Sequence, residues 1–83
     1  MPLAVRLYSL STCGSCRAVK QLLAKTGIAH EIIEMDLLNE AERKSTMPEF
    51  KRINPQVSFP TIVINGRVIL GNDSKAIIEA LYL

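Results

Sequence analysis

The chain has 83 residues, of which 48% are hydrophobic and 22% are charged, and its formal net charge is +2. This length predicts a single domain, residues 1–83, with enough apolar residues for a core. The basic residues are dispersed, which excludes a nucleic-acid-binding patch, and no segment approaches the roughly 18 apolar residues of a membrane span. The N-terminal residues lack the apolar stretch of a signal peptide, so we expect a cytoplasmic protein.

The first predicted elements are a strand and a helix that flank the two cysteines. Residues 5–8 are β-prone, and residues 11–14 interrupt that pattern with hydroxyl groups suited to capping a helix. From residue 16 to residue 26 the hydrophobic period is helical, and Gly27 is a natural helix end. The predicted apolar face comprises Cys16, Val19, Leu22, Leu23 and Thr26. The predicted solvated face comprises Arg17, Lys20, Gln21 and Lys25.

A second strand and a second helix follow. Residues 30–37 contain the strand, and a strand, a helix and a strand within about thirty residues predict a βαβ unit with parallel strands. Residues 39–53 predict a helix with Met47, Phe50 and Ile53 on one side. Pro48 complicates this helix, because a proline inside a helix removes a hydrogen bond and clashes with the preceding turn. The alternative is a helix that restarts at Pro48, where a first-turn proline is tolerated.

The remaining residues predict a hairpin and a closing helix. Residues 61–64 and 67–70 are β-rich, and the Asn65-Gly66 pair between them is a strong hairpin signal. Residues 71–74 supply a turn and a cap for the last helix. The residues that this helix is predicted to bury are Ala76, Ile77, Ala80 and Leu81. The predicted order is βαβαββα, an α/β fold in which helices flank a four-stranded mixed sheet.

The pattern with the clearest chemical meaning is the pair Cys13 and Cys16, which are the only cysteines of the chain. A disulfide across so short a loop stabilises a fold by only about 2 kcal/mol in the chain-entropy model. A Cys-x-x-Cys pair between a strand and a helix exposes Cys13 to free backbone N–H groups and to the helix dipole, which predicts a lowered pKa. Cys16 falls on the apolar face. Cys13 is therefore the predicted nucleophile, and Cys16 the thiol that resolves the mixed disulfide.

The same cysteines have two simpler interpretations, as structural thiols or as half of a zinc site. Tetrahedral zinc needs four ligands, and His30 is the only other good candidate. We therefore predict no metal site. His30 itself is interpreted as a residue at the entrance of the second strand, without a chemical role.

Several segments together resemble glutaredoxins, a family of the thioredoxin superfamily. Residues 8–16 resemble the active-site segment of that family, and residues 58–61, Ser-Phe-Pro-Thr, resemble its cis-proline loop. Residues 64–67 and 71–73 match the hairpin and the glycine-plus-aspartate turn after it. The resemblance covers nearly the whole chain in the right order. It implies a thioredoxin-like fold of glutaredoxin type and a cis Pro60 that faces the dithiol.

The resemblance also implies an activity and a set of binding residues. The implied enzyme is a monomeric thiol-disulfide oxidoreductase that reduces protein disulfides or glutathione mixed disulfides, with glutathione as reductant and no tightly bound cofactor. The implied substrate and glutathione contacts are Phe59, Pro60, Thr61, Gly71, Asn72 and Asp73. Of these, Phe59 would offer its backbone to the substrate chain, with ordinary core packing as the alternative, and Asp73 could equally be only a helix cap.

Two positions depart from the family pattern. Leu10 stands where the family often has Lys or Arg to meet a glutathione carboxylate, and Lys51 or Arg52 would have to compensate. Gly14-Ser15 replaces the common Pro-Tyr pair. Two alternatives therefore remain: a redoxin that takes electrons from thioredoxin reductase, and an iron–sulfur carrier in which Cys13 from each of two subunits and two glutathiones supply four thiolates.

Overall fold

The computed structural model describes residues 4–82, which form four strands and three α-helices around a mixed sheet. The elements in chain order are β1 (Val5–Ser9), α1 (Gly14–Thr26), β2 (Glu31–Glu34), α2 (Glu40–Ile53), β3 (Thr61–Ile64), β4 (Arg67–Leu70) and α3 (Ser74–Tyr82). The strand order is β2-β1-β3-β4. β1 pairs with β2 in parallel and with β3 in antiparallel, and β3 pairs with β4 in antiparallel. The predicted order βαβαββα is confirmed.

Alternation along the strands divides the core between the two faces of the sheet. Leu7 of β1 and Ile62 of β3 face α1 and α3, whereas Tyr8 and Val63 face α2. The cluster on the α1 and α3 face is aliphatic; its buried members are Val5, Leu7, Val19, Leu23, Ile62, Ile64, Ile69, Ile77 and Leu81. The cluster on the α2 face is built around two aromatic side chains and a thioether; its buried members are Tyr8, Met35 and Phe50. Helices therefore cover both faces, with α2 alone on its side.

Local signals end the elements where the sequence indicates. Gly27 caps α1 with a φ of 70°, a left-handed conformation that glycine adopts without a Cβ clash. Asn65 and Gly66 have φ values of 50° and 85°, so both central residues of the β3–β4 turn are left-handed, as a type I′ turn requires. Asn65 also exchanges hydrogen bonds with Ala4, because its Oδ1 accepts from the Ala4 N–H at 2.9 Å and its N–H donates to the Ala4 carbonyl at 2.9 Å.

The second strand is shorter than predicted. β2 ends at Glu34, and residues Met35–Leu37 form one turn of 3₁₀ helix. This turn moves Met35 out of the strand and buries it in the cluster on the α2 face. Met35, which the sequence places in the predicted strand, therefore packs in the core without pairing in the sheet.

The second helix is continuous through Pro48 and does not restart there. Its start is fixed by a capping box, in which Asn39 Oδ1 accepts from the Glu42 N–H at 2.8 Å and Glu42 Oε1 accepts from the Asn39 N–H at 2.9 Å. Pro48 cannot donate to the carbonyl of Lys44, four residues earlier. Both residues are exposed, so water can replace the missing donor. No helix within residues 4–82 has the length and apolar character needed to cross a membrane.

Candidate functional site

Cys13 lies at the position that caps the N-terminus of α1. Its Sγ accepts a hydrogen bond from the Cys16 backbone N–H at 3.2 Å, and its carbonyl accepts from the Arg17 N–H at 3.0 Å. The first turn of α1 contains no acidic residue that would oppose a negative charge there. Both cysteines are free thiols; Cys13 is partly exposed and Cys16 is completely buried. The helix therefore presents one sulfur to solvent and covers the other.

The two thiols have opposite shifts in pKa. Hydrogen bonds from the Cys16 thiol and then from the Cys16 backbone N–H lower the pKa of Cys13, and the positive charge of Lys20 adds to them. Burial raises the pKa of Cys16, because desolvation disfavours its thiolate. A lowered pKa increases the thiolate fraction of Cys13 at neutral pH, so Cys13 is the better attacking group.

Carboxylates from β2 and the turn after it hold the residues that lead into the helix. We call residues 9–16 the dithiol segment. Ser11 donates from its backbone N–H to Asp36 Oδ1 at 2.9 Å, and its hydroxyl donates to Asp36 Oδ2. These two hydrogen bonds, the hydroxyl first, lower the pKa of Asp36. The Cys13 N–H donates to the Leu10 carbonyl at 3.2 Å. The exposed carboxylate of Asp36 thus fixes the backbone that leads into Cys13.

The helical position of Lys20 predicts a freely solvated side chain, but the structure shows a different environment. Its Nζ forms an ion pair with Glu34 Oε1, and both side chains are only about one quarter exposed. The buried Ser9 hydroxyl lies 3.3 Å from both oxygens of the same carboxylate. Lys20 is one turn beyond Cys16 on α1, so it anchors the helix to β2 beside the dithiol.

A second segment, residues 54–61, is organised around a buried amide; we call it the proline segment. Asn54 is 2% exposed, and its Nδ2 donates to Ser58 Oγ at 2.9 Å and to Thr61 Oγ1 at 3.0 Å. Thr61 Oγ1 donates in turn to the Ser58 carbonyl at 2.8 Å. Val57 has a φ of 52°, an unfavourable conformation for a β-branched residue. The peptide between Phe59 and Pro60 is cis.

Phe59 combines a fixed ring with a free backbone. Its ring stacks on that of Phe50, with centroids 5.1 Å apart and an interplanar angle of 10°, and Phe50 lies 4.9 Å from the ring of Tyr8. Within residues 4–82, neither the N–H nor the C=O of Phe59 has a hydrogen-bond partner, whereas the Pro60 carbonyl accepts from the Gly71 N–H at 2.9 Å. The ring therefore belongs to the core, and the backbone polar groups remain available.

The strand register brings the predicted site segments to one end of the sheet. Thr61 at the start of β3 pairs with Tyr8 near the end of β1 and with Leu70 at the end of β4. Cys13 follows β1, Pro60 precedes β3 and the turn at residues 71–73 follows β4. The predicted cysteine, proline and turn segments thus share this end, although the Thr61 side chain itself is buried against Asn54 and Ser58.

The turn after β4 is shaped by its cap. Gly71 has a φ of 78°, and Asp73 accepts from the Ala76 N–H at 3.2 Å through Oδ1, so Asp73 does cap α3. Asn72 is exposed and borders a depression of about 270 Å³. The other residues that line this depression are Ala18, Gln21, Leu22, Lys25 and Ser74.

A cavity larger than this depression lies elsewhere, beside the start of β1. It has a volume of about 530 Å³, and it is bordered by the ion pairs that Arg6 makes with Glu31 at 2.6 Å and with Glu49 at 3.1 Å. His30 borders it too, and its Nδ1 lies 2.7 Å from the Ile28 carbonyl directly before β2, as its predicted position requires. No three His, Cys, Asp or Glu side chains between residues 4 and 82 are grouped to hold a metal ion.

Asn54, Ser9 and Glu34 were not identified from the sequence. One signal for Asn54 was available, because an Asn followed by Pro often forms a turn in which the side-chain oxygen accepts from the N–H two residues on. Asn54 Oδ1 does accept from the Gln56 N–H at 3.1 Å. The contacts of Ser9 and Glu34 depend on the pairing of β1 with β2, which gives no local signal.

Comparison with known proteins agrees with this geometry. A family model described as glutaredoxin matches residues 5–69. The crystal structure of methanoredoxin from Methanosarcina acetivorans superposes with a TM-score of 0.89 at 40% identity, covering 96% of this chain and 85% of that one.

Two curated relatives are longer proteins. Glutathione S-transferase D7 of Drosophila melanogaster is 38% identical over 77 residues, and glutaredoxin-C1 of Arabidopsis thaliana is 33% identical over 70. These matches cover 93% and 83% of this chain but only 31% and 54% of the relatives. The thioredoxin-like fold and the family match over most of the chain lead to one conclusion: the chain belongs to the glutaredoxin family.

Proposed function

We propose that the protein is a dithiol oxidoreductase that reduces disulfides of client proteins and glutathione mixed disulfides through Cys13 and Cys16. Glutaredoxin-family proteins are thiol-disulfide oxidoreductases. The observation that carries the proposal is the asymmetry of the pair. Cys13 is partly exposed at a helix N-terminus with a lowered pKa, and Cys16 is buried with a raised pKa.

The proposed reaction proceeds by two thiol-disulfide exchanges. The Cys13 thiolate attacks one sulfur of the substrate disulfide, the substrate S–S bond breaks, and the departing thiolate takes up a proton. Cys16 then loses its proton and attacks Cys13 Sγ, which releases the second substrate thiol and leaves a Cys13–Cys16 disulfide. The substrate gains two electrons and two protons, and the protein loses them. Two thiol molecules or one reductase must return the protein to its dithiol form.

Phe59 supplies the support for a protein client. Its backbone N–H and C=O have no partner within residues 4–82, and it belongs to the proline segment, at the same end of the sheet as Cys13. An extended peptide that pairs with these groups would gain main-chain hydrogen bonds, as in strand addition at a sheet edge. In this proposal Phe59 and Pro60 align the client, and the Thr61 side chain supports them from below.

Glutathione is the proposed electron donor. Asn72 and the N–H groups at the start of α3 suit the amino-acid end of glutathione, with Asp73 already fixed as a cap. Leu10 packs against the cluster on the α2 face and offers no charge to the far carboxylate. Loss of one charge-assisted hydrogen bond weakens binding by about 1.5–3 kcal/mol, roughly tenfold to a hundredfold. We therefore propose that the enzyme uses glutathione with low affinity. We also propose that it is cytoplasmic.

The donor is tested by reducing the oxidised protein with glutathione and, separately, with thioredoxin reductase and NADPH. Leu10→Lys should increase turnover of a glutathione mixed disulfide, and Asp73→Ala should decrease it. Efficient reduction by the reductase, with no response of glutathione turnover to either substitution, would replace glutathione by the flavoprotein as donor.

The dithiol mechanism is tested with a disulfide-bonded protein such as insulin. Cys13→Ser should abolish reduction, and Cys16→Ser should accumulate a mixed disulfide between Cys13 and the substrate, visible by non-reducing electrophoresis and mass spectrometry. Activity retained by Cys13→Ser, or a mixed disulfide trapped on Cys16 in that variant, would refute the assignment.

A further inference from the structure

The Asn54 side chain sets the direction of the hydrogen bond between the Thr61 hydroxyl and the Ser58 carbonyl. The Thr61 hydroxyl accepts from Asn54 Nδ2 at 3.0 Å and carries a single hydrogen of its own. That hydrogen is donated to the Ser58 carbonyl at 2.8 Å. Asn54 Nδ2 also lies 3.3 Å from the same carbonyl. The two Nδ2 hydrogens go to the nearer acceptors, Ser58 Oγ at 2.9 Å and Thr61 Oγ1 at 3.0 Å, so the Ser58 carbonyl is held toward the interior by the Thr61 hydroxyl, which Asn54 orients.

The orientation of Asn54 is itself fixed. Its Oδ1 accepts from the Gln56 N–H at 3.1 Å, and its backbone N–H donates to the Phe50 carbonyl at 2.8 Å, so it is tied to the last turn of α2. Its carbonyl accepts from the Val57 N–H at 3.0 Å. These bonds hold the turn in which Val57 adopts its unfavourable backbone conformation, a conformation that persists only where its surroundings determine it.

A fixed carbonyl at Ser58 also fixes the N–H of Phe59. The peptide between these residues is trans and planar, so its C=O and N–H point in opposite directions. Because the Ser58 carbonyl points at Asn54 and Thr61, the Phe59 N–H points away from them. Within residues 4–82 that N–H has no acceptor. The network therefore orients an unused backbone donor.

We infer that Asn54 is a positioning residue for client recognition: through Thr61 and the Ser58 carbonyl it aims the free Phe59 N–H at a carbonyl of the client peptide. This inference rests on the proposed function and adds to it the buried amide that prepares the docking strand. The ligand is a polypeptide disulfide, since a small disulfide without amide groups has no carbonyl to offer. Asn54 touches no reacting atom, so its effect must be on alignment of peptide clients.

The test compares two substrates in steady-state kinetics. One is a disulfide-linked peptide of about eight residues, and the other is bis(2-hydroxyethyl) disulfide, which has no amide. Asn54→Ala should lower kcat/KM for the peptide by about three- to tenfold, as loss of one aligned hydrogen bond implies, mainly through KM. It should leave the small disulfide unchanged. Ser58→Ala is the matched control, because it removes the hydroxyl that Asn54 also contacts but keeps the carbonyl.

A second comparison keeps the inference testable if Asn54→Ala does not fold. Thr61→Val conserves volume and removes the donor to Ser58, whereas Thr61→Ser keeps the donor. The valine variant should show the loss on the peptide, and the serine variant should restore it. A series of peptides in which an ester replaces each backbone amide in turn locates the client carbonyl that pairs with the Phe59 N–H. At one position the ester should weaken turnover by the native protein. In the valine variant the same ester should cause no further loss.

The outcomes separate the inference from the function it rests on. Equal losses on both substrates, no loss on the peptide, or persistence of every ester effect in the valine variant would overturn the role of Asn54 while leaving the oxidoreductase in place. Failure of the native protein to reduce either disulfide would overturn the proposed function itself.

Discussion

The dithiol segment and the proline segment lie at the same end of the sheet, but the groups that hold them differ in charge and burial. Asp36 and Glu34 hold the dithiol segment through carboxylates, the first of them exposed. Asn54 holds the proline segment through a neutral amide that is almost completely buried. A hydrogen bond to a carboxylate changes when acid protonates the carboxylate, whereas a hydrogen bond from a neutral side-chain amide does not depend on pH in this way. The dithiol segment is therefore held by charged groups, and the proline segment, which we propose aligns a client, is held by a neutral one.

The largest expected effect is on the packing beneath the proline segment. Phe50→Ala removes a fully buried ring that contacts the rings of both Tyr8 and Phe59. We expect the free energy of unfolding to fall by about 3–5 kcal/mol, the usual cost of deleting a buried aromatic side chain. Denaturant titration measures it. Phe59→Ala, at a partly exposed ring, is the control and should cost less. A smaller loss for Phe50→Ala than for Phe59→Ala would contradict this account of the cluster.

The next effect concerns the two sulfurs of the dithiol segment. Iodoacetamide at neutral pH should alkylate Cys13 at least about tenfold faster than Cys16, because the thiolate is the reactive form and only Cys13 combines exposure with a lowered pKa. Peptide mapping by mass spectrometry after short exposure gives the two rates. The advantage should narrow as pH rises and both thiols ionise. Preferential labelling of Cys16 at any pH would show that the helix does not shield it.

The smallest effect is the pH response of the link between Ser11 and Asp36. The pKa of Asp36 is lowered in the folded protein, so ionised Asp36 stabilises the fold at pH values above the usual aspartate pKa of about 3.9. This stabilisation is lost as the pH falls through the lower pKa of Asp36 in the folded protein. Acidification should therefore lower the protection of the Ser11 N–H, measured as its hydrogen-exchange rate relative to the intrinsic rate at the same pH, because this N–H donates to Asp36. Asp36→Asn should show faster exchange there at neutral pH and a weaker pH response.

The proline segment provides the internal control for that measurement. The Gln56 N–H donates to the Asn54 amide oxygen, which does not titrate, so its exchange, once corrected for the intrinsic pH dependence, should not follow the Asp36 titration. If both segments loosen together in acid, they form one cooperative unit and the contrast between them fails.

Elements with local signals could be predicted from the sequence, and contacts set by tertiary structure could not. Gly27 and the Asn65-Gly66 turn are recognisable because their backbone conformation depends on the residue itself. Periodicity similarly predicts the buried position of Cys16. Periodicity fails for Lys20, because it places this residue on the solvated face of α1 and cannot show that Glu34 of β2 lies opposite.

Two further differences have the same origin. Met35 looks like a strand residue, but its burial comes from a 3₁₀ turn that packs against α2. Pro48 looks like a helix start, but the capping box at Asn39 and the burial of Phe50 favour one continuous helix. At the site, the cysteines and Pro60 stand out in the sequence, whereas Asn54 acts through Thr61, a partner seven residues away that only the folded loop brings near.

The strand order leaves β2 and β4 at the two edges of the sheet, with unequal protection against self-association. β2 begins and ends with glutamates, whose charges discourage another strand from adding to it. β4 has a charge only at Arg67, and its Val68 and Leu70 are 40% and 48% exposed. The outer edge of β4 is therefore the part of the sheet most open to intermolecular strand pairing at high concentration. A lysine in place of Val68 would protect it without touching the dithiol.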